Sequence, residues 1–192
     1  MCATSLDAPA PYPLDLEREI VLRDGVRVRS RPIRPDDEPR LVSLYDRLSR
    51  FTAYQRFFTA MNRLPPDWAH FLANVDYRRR LALVVENPSD EELIAVARYE
   101  CTDRRDTAEI AFVVLDAWQN RGLGGSLIND LLAAAEARGI SRFVAYVLAD
   151  NTRMVSLLER VTEIVERTVE SGVITFLCVR RAPRSEAAAL IG

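Results

Sequence analysis

The stretch Phe112-Val113-Val114-Leu115-Asp116-Ala117-Trp118-Gln119-Asn120-Arg121-Gly122-Leu123-Gly124-Gly125 leads from an apolar strand through a turn into a helix. Leu127, Ile128, Leu131, Leu132 and Ala135 continue the helix on one face, and Gly139 stands at its stop. A Gly-rich turn at a helix start aims unpaired backbone N–H groups at one point, and the helix dipole adds positive potential there. Glycine lets an anion approach the backbone closely. The reading is an anion site suited to a pyrophosphate; the competing reading is a tight turn with no ligand. No Gly-x-Gly-x-x-Gly stands in Rossmann position, and no lysine is present to complete a P-loop.

Outward from this segment, the pattern predicts an α/β chain. Towards the N-terminus, Val26 to Ile33 alternates as a first strand, and Pro35-Asp36-Asp37-Glu38 opens a helix continued by Leu41, Leu44, Tyr45 and Leu48. The aromatic cluster Phe51 to Met61 predicts a second short helix, and Pro65-Pro66-Asp67 starts a third towards Val75. Strands are predicted at Leu81 to Val85, Leu93 to Tyr99 and Ala108 to Leu115. The long helix spans Gly122 to Arg138; a strand Phe143 to Leu148 and a helix from Asn151-Thr152 to about Arg160 follow. Ile164 to Val169 and Val173 to Val179 close the chain as a strand pair. Short turns imply antiparallel hairpins, and a helix between strands implies a parallel crossover, so the sheet is expected to be mixed, with about six to seven strands.

Composition narrows the function. The 192 residues carry a formal charge of -2, without the basic excess of a nucleic-acid binder. All 26 basic side chains counted as lysine or arginine are arginine. Cys2, Cys101 and Cys178 lie far apart without CxxC spacing, and His70 is the single histidine, so neither a disulfide framework nor a metal site is expected. No basic-then-apolar leader and no membrane-length apolar run is seen, which makes a cytoplasmic protein the expectation. Residues 1–18 read as a flexible arm, 19–181 as one domain and 182–192 as a tail.

Gln119-Asn120-Arg121-Gly122-Leu123-Gly124 resembles, without a gap, the Gln/Arg-x-x-Gly-x-Gly/Ala acetyl-CoA motif of the GNAT superfamily of N-acetyltransferases. Val21-Leu22-Arg23-Asp24-Gly25, Arg31-Pro32-Ile33-Arg34-Pro35-Asp36-Asp37, Arg56-Phe57-Phe58, Val75-Asp76-Tyr77 and Ala95-Val96-Ala97-Arg98-Tyr99 are similar to the acetyltransferase domain of bacterial Pat-type protein lysine acetyltransferases. The resemblance implies a single GNAT domain with acetyl-CoA as cosubstrate. It implies that backbone amides of Gln119, Asn120, Arg121, Gly122, Leu123, Gly124 and Gly125 hold the pyrophosphate. The main chain of Phe112, Val113 and Val114 would pair with the pantetheine where the strand splays from its neighbour, and Asn151 would contact the cofactor arm. The Arg121 side chain is read either as a phosphate contact or as a solvated arginine.

An amine must be neutral to attack a thioester. A free lysine has a pKa near ~10.4, so deprotonation at pH 7 costs about 4.6 kcal/mol. A carboxylate beside the splayed strands can take that proton, directly or through water. Glu109 matches the glutamate to which Pat-type enzymes assign this role, with Glu100 a weaker substitute and an outward-facing strand glutamate the competing reading of Glu109. The family's usual tyrosine, seven residues after the asparagine, is Leu158 here, and the Gly-Phe that follows it is Thr162-Glu163. Tyr146 is a stand-in acid or, on the preferred reading, a core residue. Cys101 and His70 read as structural.

The expected activity is acetyl transfer from acetyl-CoA to an amine, foremost a protein lysine. Acetylation of a small amine and a non-catalytic acetyl-CoA-binding regulatory domain remain as alternatives. No nucleic-acid or membrane partner is expected, and a homodimer is left open.

Overall fold

The computed structural model describes residues 9–60, 63–104 and 106–181. Eight strands form one sheet: β1 (Arg18–Val21), β2 (Arg27–Pro32), β3 (Arg80–Glu86), β4 (Leu93–Cys101), β5 (Thr107–Val114), β6 (Arg142–Leu148), β7 (Thr162–Glu170) and β8 (Val173–Arg180). Their spatial order is β1-β2-β3-β4-β5-β6-β8-β7. Every neighbouring pair is antiparallel except β5 with β6. Five α-helices lie among the described residues: α1 (Glu38–Asp46), α2 (Arg50–Phe57), α3 (Pro66–Ala73), α4 (Leu123–Glu136) and α5 (Thr152–Val161). The architecture is the expected mixed α/β sheet flanked by helices, with eight strands rather than six or seven.

The extra strand is β1, whose short run Arg-Glu-Ile-Val buries only Ile20 and so carries almost no apolar alternation. Residues 9–17 precede it and lie against the body. Tyr12 donates to Glu17 at 2.9 Å and to the Pro32 carbonyl at 3.2 Å, and its ring meets Tyr77 edge-on. The expected tail, 182–192, lies outside the described residues.

Helix α4 is the centre of the core. Leu123, Leu127, Ile128, Leu131, Leu132, Ala134 and Ala135 are buried, and the helix packs on β3, β4, β5 and β8. Just beyond it Gly139 turns left-handed at φ +83° and closes the helix. Strand alternation divides the other contacts. Tyr99 faces the α4 side, near Arg138, whereas Arg98 turns the other way and donates to the Leu72 carbonyl of α3 at 2.6 Å. Helices α1 and α2 touch β4 and β5. Side chains at Arg98, Glu100 and Glu109 therefore share the face that α1 to α3 cover.

Candidate active site

Strands β5 and β6 pair at Thr107↔Arg142, Ala108↔Phe143 and Glu109↔Val144, and no further. Each remains paired on its outer side, β5 with β4 up to Val114 and β6 with β8 up to Leu148. The two strands open into a wedge from Glu109 onward. The Leu115 N–H donates to the Ile94 carbonyl at 2.9 Å, which turns Val113, Ala111 and Glu109 towards β4 in the alternating antiparallel ladder. The N–H and C=O of Phe112 and the N–H of Val114 then face the side that β6 has left. Gln119 Nε2 donates to the Val114 carbonyl at 3.0 Å and takes up one acceptor of that open edge.

A cavity of about 890 Å³ fills the wedge. One end reaches the glycine loop and the other reaches Glu109. In the loop, Asn120 and Gly122 are both left-handed, at φ 62° and 91°. This conformation points successive amides to one side and suits asparagine and glycine. A Cβ on Gly122 would come within 3.2 Å of Arg23 Cγ, and one on Gly124 within 3.3 Å of Leu157 Cδ2. The floor is therefore shaped to backbone contact. Asn151 is buried at the start of α5, where its Oδ1 caps the Met154 N–H at 3.1 Å. Its side-chain amide nitrogen makes no hydrogen bond among the described residues, and the residue lines the cavity.

Glu109 stands directly opposite Glu100 on β4 and beside Arg56 of α2. Its carboxylate is open to the cavity, yet the protein around it is dense enough to act on its proton. Burial pushes the carboxyl above the ordinary glutamate range, Arg56 opposes that shift and the Glu100 charge adds to it.

Arg121 differs from both sequence readings. Its Nε pairs with Asp24 at 2.5 Å and its guanidinium lies over Trp118, so it ties the loop to the β1–β2 turn. The partner lies 97 residues away in sequence and left no local signal. Tyr146 is likewise not a core residue: it is 46% exposed on the Glu109 face of β6 and lines the cavity. Leu158, by contrast, is fully buried, and its carbonyl accepts from Thr162 Oγ1 at 2.7 Å, so the usual tyrosine position is packing. Asp116 was not singled out by sequence. Its carboxylate accepts from the Ser49 N–H and from the hydroxyls of Ser49 and Thr52, which locks the start of α2 to the strand end. Cys101 is half-buried, with its thiol pushed up mainly by burial, and His70 is exposed against Glu38. Among the described residues no group of three or more His, Cys, Asp or Glu side chains could hold a metal ion, and no helix is long and apolar enough to cross a membrane.

Among the described residues the sheet has a single parallel pair, and it splays beside the glycine loop. Residues 42–162 match the model of the acetyltransferase (GNAT) family, and the chain belongs to that family. It is 32% identical over 142 residues to the acetyltransferase Pat of Mycolicibacterium smegmatis, covering 73% of this chain and 42% of that protein. The chain thus spans less than half of that relative. The GNAT domain of S. lividans PAT superposes with a TM-score of 0.80 at 36% identity, covering 86% of this chain and 98% of that one. A spermidine N-acetyltransferase from Vibrio cholerae, solved with CoA and spermine, superposes with a TM-score of 0.63 at 18% identity over 80% of this chain and 95% of that one. At that identity the likeness is one of fold.

Proposed function

We propose that this chain transfers the acetyl group of acetyl-CoA to a protein lysine, with Glu109 as the general base. The observation that carries the reading is the position of Glu109 at the closed end of the wedge, with the glycine loop at the other end of the same cavity. Backbone amides of Asn120 to Gly125 hold the pyrophosphate. The open edge of β5 at Phe112 and Val114 pairs with the pantetheine amides, with Val113 between them, and the Asn151 side-chain amide meets the same arm. This lays the thioester towards Glu109. The neutral amine nitrogen attacks the thioester carbonyl carbon and a C–N bond forms; the amine proton passes to Glu109, and the C–S bond breaks with its electron pair leaving on sulfur as the CoA thiolate, which takes a proton from solvent. A raised carboxyl pKa brings the base closer to the amine it must deprotonate.

The mouth of the cavity favours a protein acceptor. Helix α2 contributes Phe51, Gln55 and Arg56 to the lining and its C-cap contributes Phe58, and the helix carries no acidic residue. Phe51 is 64% exposed, and Tyr54 on the same helix is exposed as well. Exposed aromatic side chains beside a reactive cleft suit contact with a macromolecule. A polyamine would call for several free carboxylates. The acids lining the cavity are Glu109, Asp116 and Asp150, and Asp116 is already engaged by Ser49 and Thr52.

The test is thiol release from acetyl-CoA in the presence of lysine-bearing proteins, lysine peptides and small amines. Release with proteins above the amine-free rate supports the reading. Release with polyamines alone moves the acceptor to a small amine.

A further inference from the structure

Helix α2 places at the closed end of the wedge a cation that the surrounding protein leaves without a partner. Arg56 lines the cavity together with Glu109, near enough for its charge to act on the Glu109 carboxyl. Its guanidinium lies 5.0 Å from the centre of the Phe57 ring, and its Nε is buried with no hydrogen-bond partner among the described residues. Among those residues it forms no ion pair either. The neighbouring arginines of this face are engaged. Arg80 donates to the Phe71 carbonyl and lies 4.0 Å from Glu100, and Arg98 donates to the Leu72 carbonyl at 2.6 Å. Asp116 holds the start of α2 through Ser49 and Thr52, which fixes the helix that carries Arg56.

A buried guanidinium nitrogen without an acceptor is costly, and the planar fork of arginine is suited to a carboxylate. With Glu109 ionised, the three guanidiniums of Arg56, Arg80 and Arg98 face the two carboxylates of Glu100 and Glu109, and one positive charge is left over. A lysine that reacts as the neutral amine does not balance it; a carboxylate arriving beside that lysine does. Helix α2 is also the wall that exposes Phe51 and Tyr54 at the mouth. The carboxylate therefore comes with the acceptor rather than with the donor, whose acetyl group is uncharged. We propose that Arg56 receives an aspartate or glutamate carboxylate adjoining the reactive lysine of the acceptor protein, and so selects lysines with an acidic neighbour. The inference rests on the reading of a protein lysine acetyltransferase with Glu109 at the reacting centre.

The experiment measures kcat/KM with acetyl-CoA for single-lysine peptides that carry Glu, Gln or Arg at each position next to the lysine, for wild type, R56Q and R56E. Wild type should favour the best Glu peptide over its Gln counterpart by about tenfold, the size of a charge-assisted contact. R56Q should bring the two within about twofold, and R56E should favour the Arg peptide over the Glu peptide. Each ratio is taken within one enzyme, so a displaced ionisation of Glu109 divides out, and a merely structural Arg56 would lower all peptides together. No flank preference in wild type, or one that survives in R56E, overturns the assignment and leaves acetyl transfer intact. Transfer to lysine-bearing proteins but to none of the peptides also overturns it, because recognition then lies beyond the lysine's neighbours. A dependence on Arg56 seen only with succinyl-CoA as donor places the carboxylate on the acyl group and equally overturns it. Absence of acetyl-lysine on peptides and proteins alike overturns the proposed function itself, and this selection with it.

Discussion

Glu109 and Val144 are the last paired residues where β5 and β6 run parallel. Beyond them β4 holds one strand and β8 the other, so each side of the wedge is anchored by its outer neighbour. The same rung that ends the pairing presents the carboxylate. If Glu109 is the base, Glu109→Gln should lower kcat by about 10²-fold or more, the size of a general-base contribution. The KM and Kd for acetyl-CoA should stay within about twofold, because the carboxylate does not hold the donor. Steady-state kinetics paired with calorimetry checks both halves.

The charges around Glu109 make its ionisation a second, independent handle. Glu109 must be ionised to accept a proton, so kcat should fall on the acid side through its raised pKa. Glu100 helps to raise that value and Arg56 to lower it. Glu100→Gln should therefore move the acid limb of the kcat profile to lower pH, and Arg56→Gln should move it to higher pH. Opposite displacements in the two pH profiles are the expected result. Identical limbs in all three proteins would mean that another group titrates.

The glycine loop leaves little room for side chains. Gly124 sits where a Cβ meets Leu157 at 3.3 Å, at ordinary helical φ. Gly124→Leu should thus fold, yet weaken acetyl-CoA binding by tenfold or more, about 1.4 kcal/mol. Gly122→Val adds the strain of a left-handed β-branched residue and should cost stability as well. Calorimetry and thermal melting separate the two effects.

Stability at low pH should depend on a buried ion pair next to α1. Arg31 donates to both oxygens of Asp37, at 2.6 and 2.7 Å, and both side chains are almost wholly buried. Burial works to raise the Asp37 carboxyl, but the bonds from Arg31 and the Arg34 N–H hold it below the usual range. Its contribution is therefore complete above the ordinary aspartate pKa and lost as pH falls through the lower folded value. Asp37→Asn should cost about 3 kcal/mol at neutral pH by leaving Arg31 short of a partner. The difference from wild type should shrink in acid, which urea midpoints across pH will show.

The sequence carried the fold wherever the signal was local. The amphipathic run from Leu123 to Ala135 and the apolar strands β3 to β5 announce themselves by periodicity, and the glycine loop by its residue types. What escaped was set by pairing over long distances. Arg121 turned to Asp24, Asp116 to Ser49 and Thr52, and Glu109 to Glu100, and none of these registers is written in the neighbouring residues. Tyr146 resembles a core residue because it stands in an apolar run, yet β6 alternates and Tyr146 falls on its more open face with Arg142, Val144 and Leu148. Strand β1 was hidden by its charged residues, which leave a single buried side chain.

The central claim is that the wedge performs acetyl transfer with Glu109 taking the proton. Because the chain contains no lysine, every acetyl-lysine formed in a mixture belongs to the acceptor. The most direct measurement follows acetyl-lysine by mass spectrometry and CoA thiol release together, for wild type and Glu109→Gln at saturating acetyl-CoA with lysine-bearing proteins. The account predicts matched thiol and acetyl-lysine formation by wild type and a loss of about 10²-fold in the variant, which still binds acetyl-CoA. Acetyl-CoA binding without acetyl-lysine above the enzyme-free rate, or equal turnover by the two proteins, would contradict it.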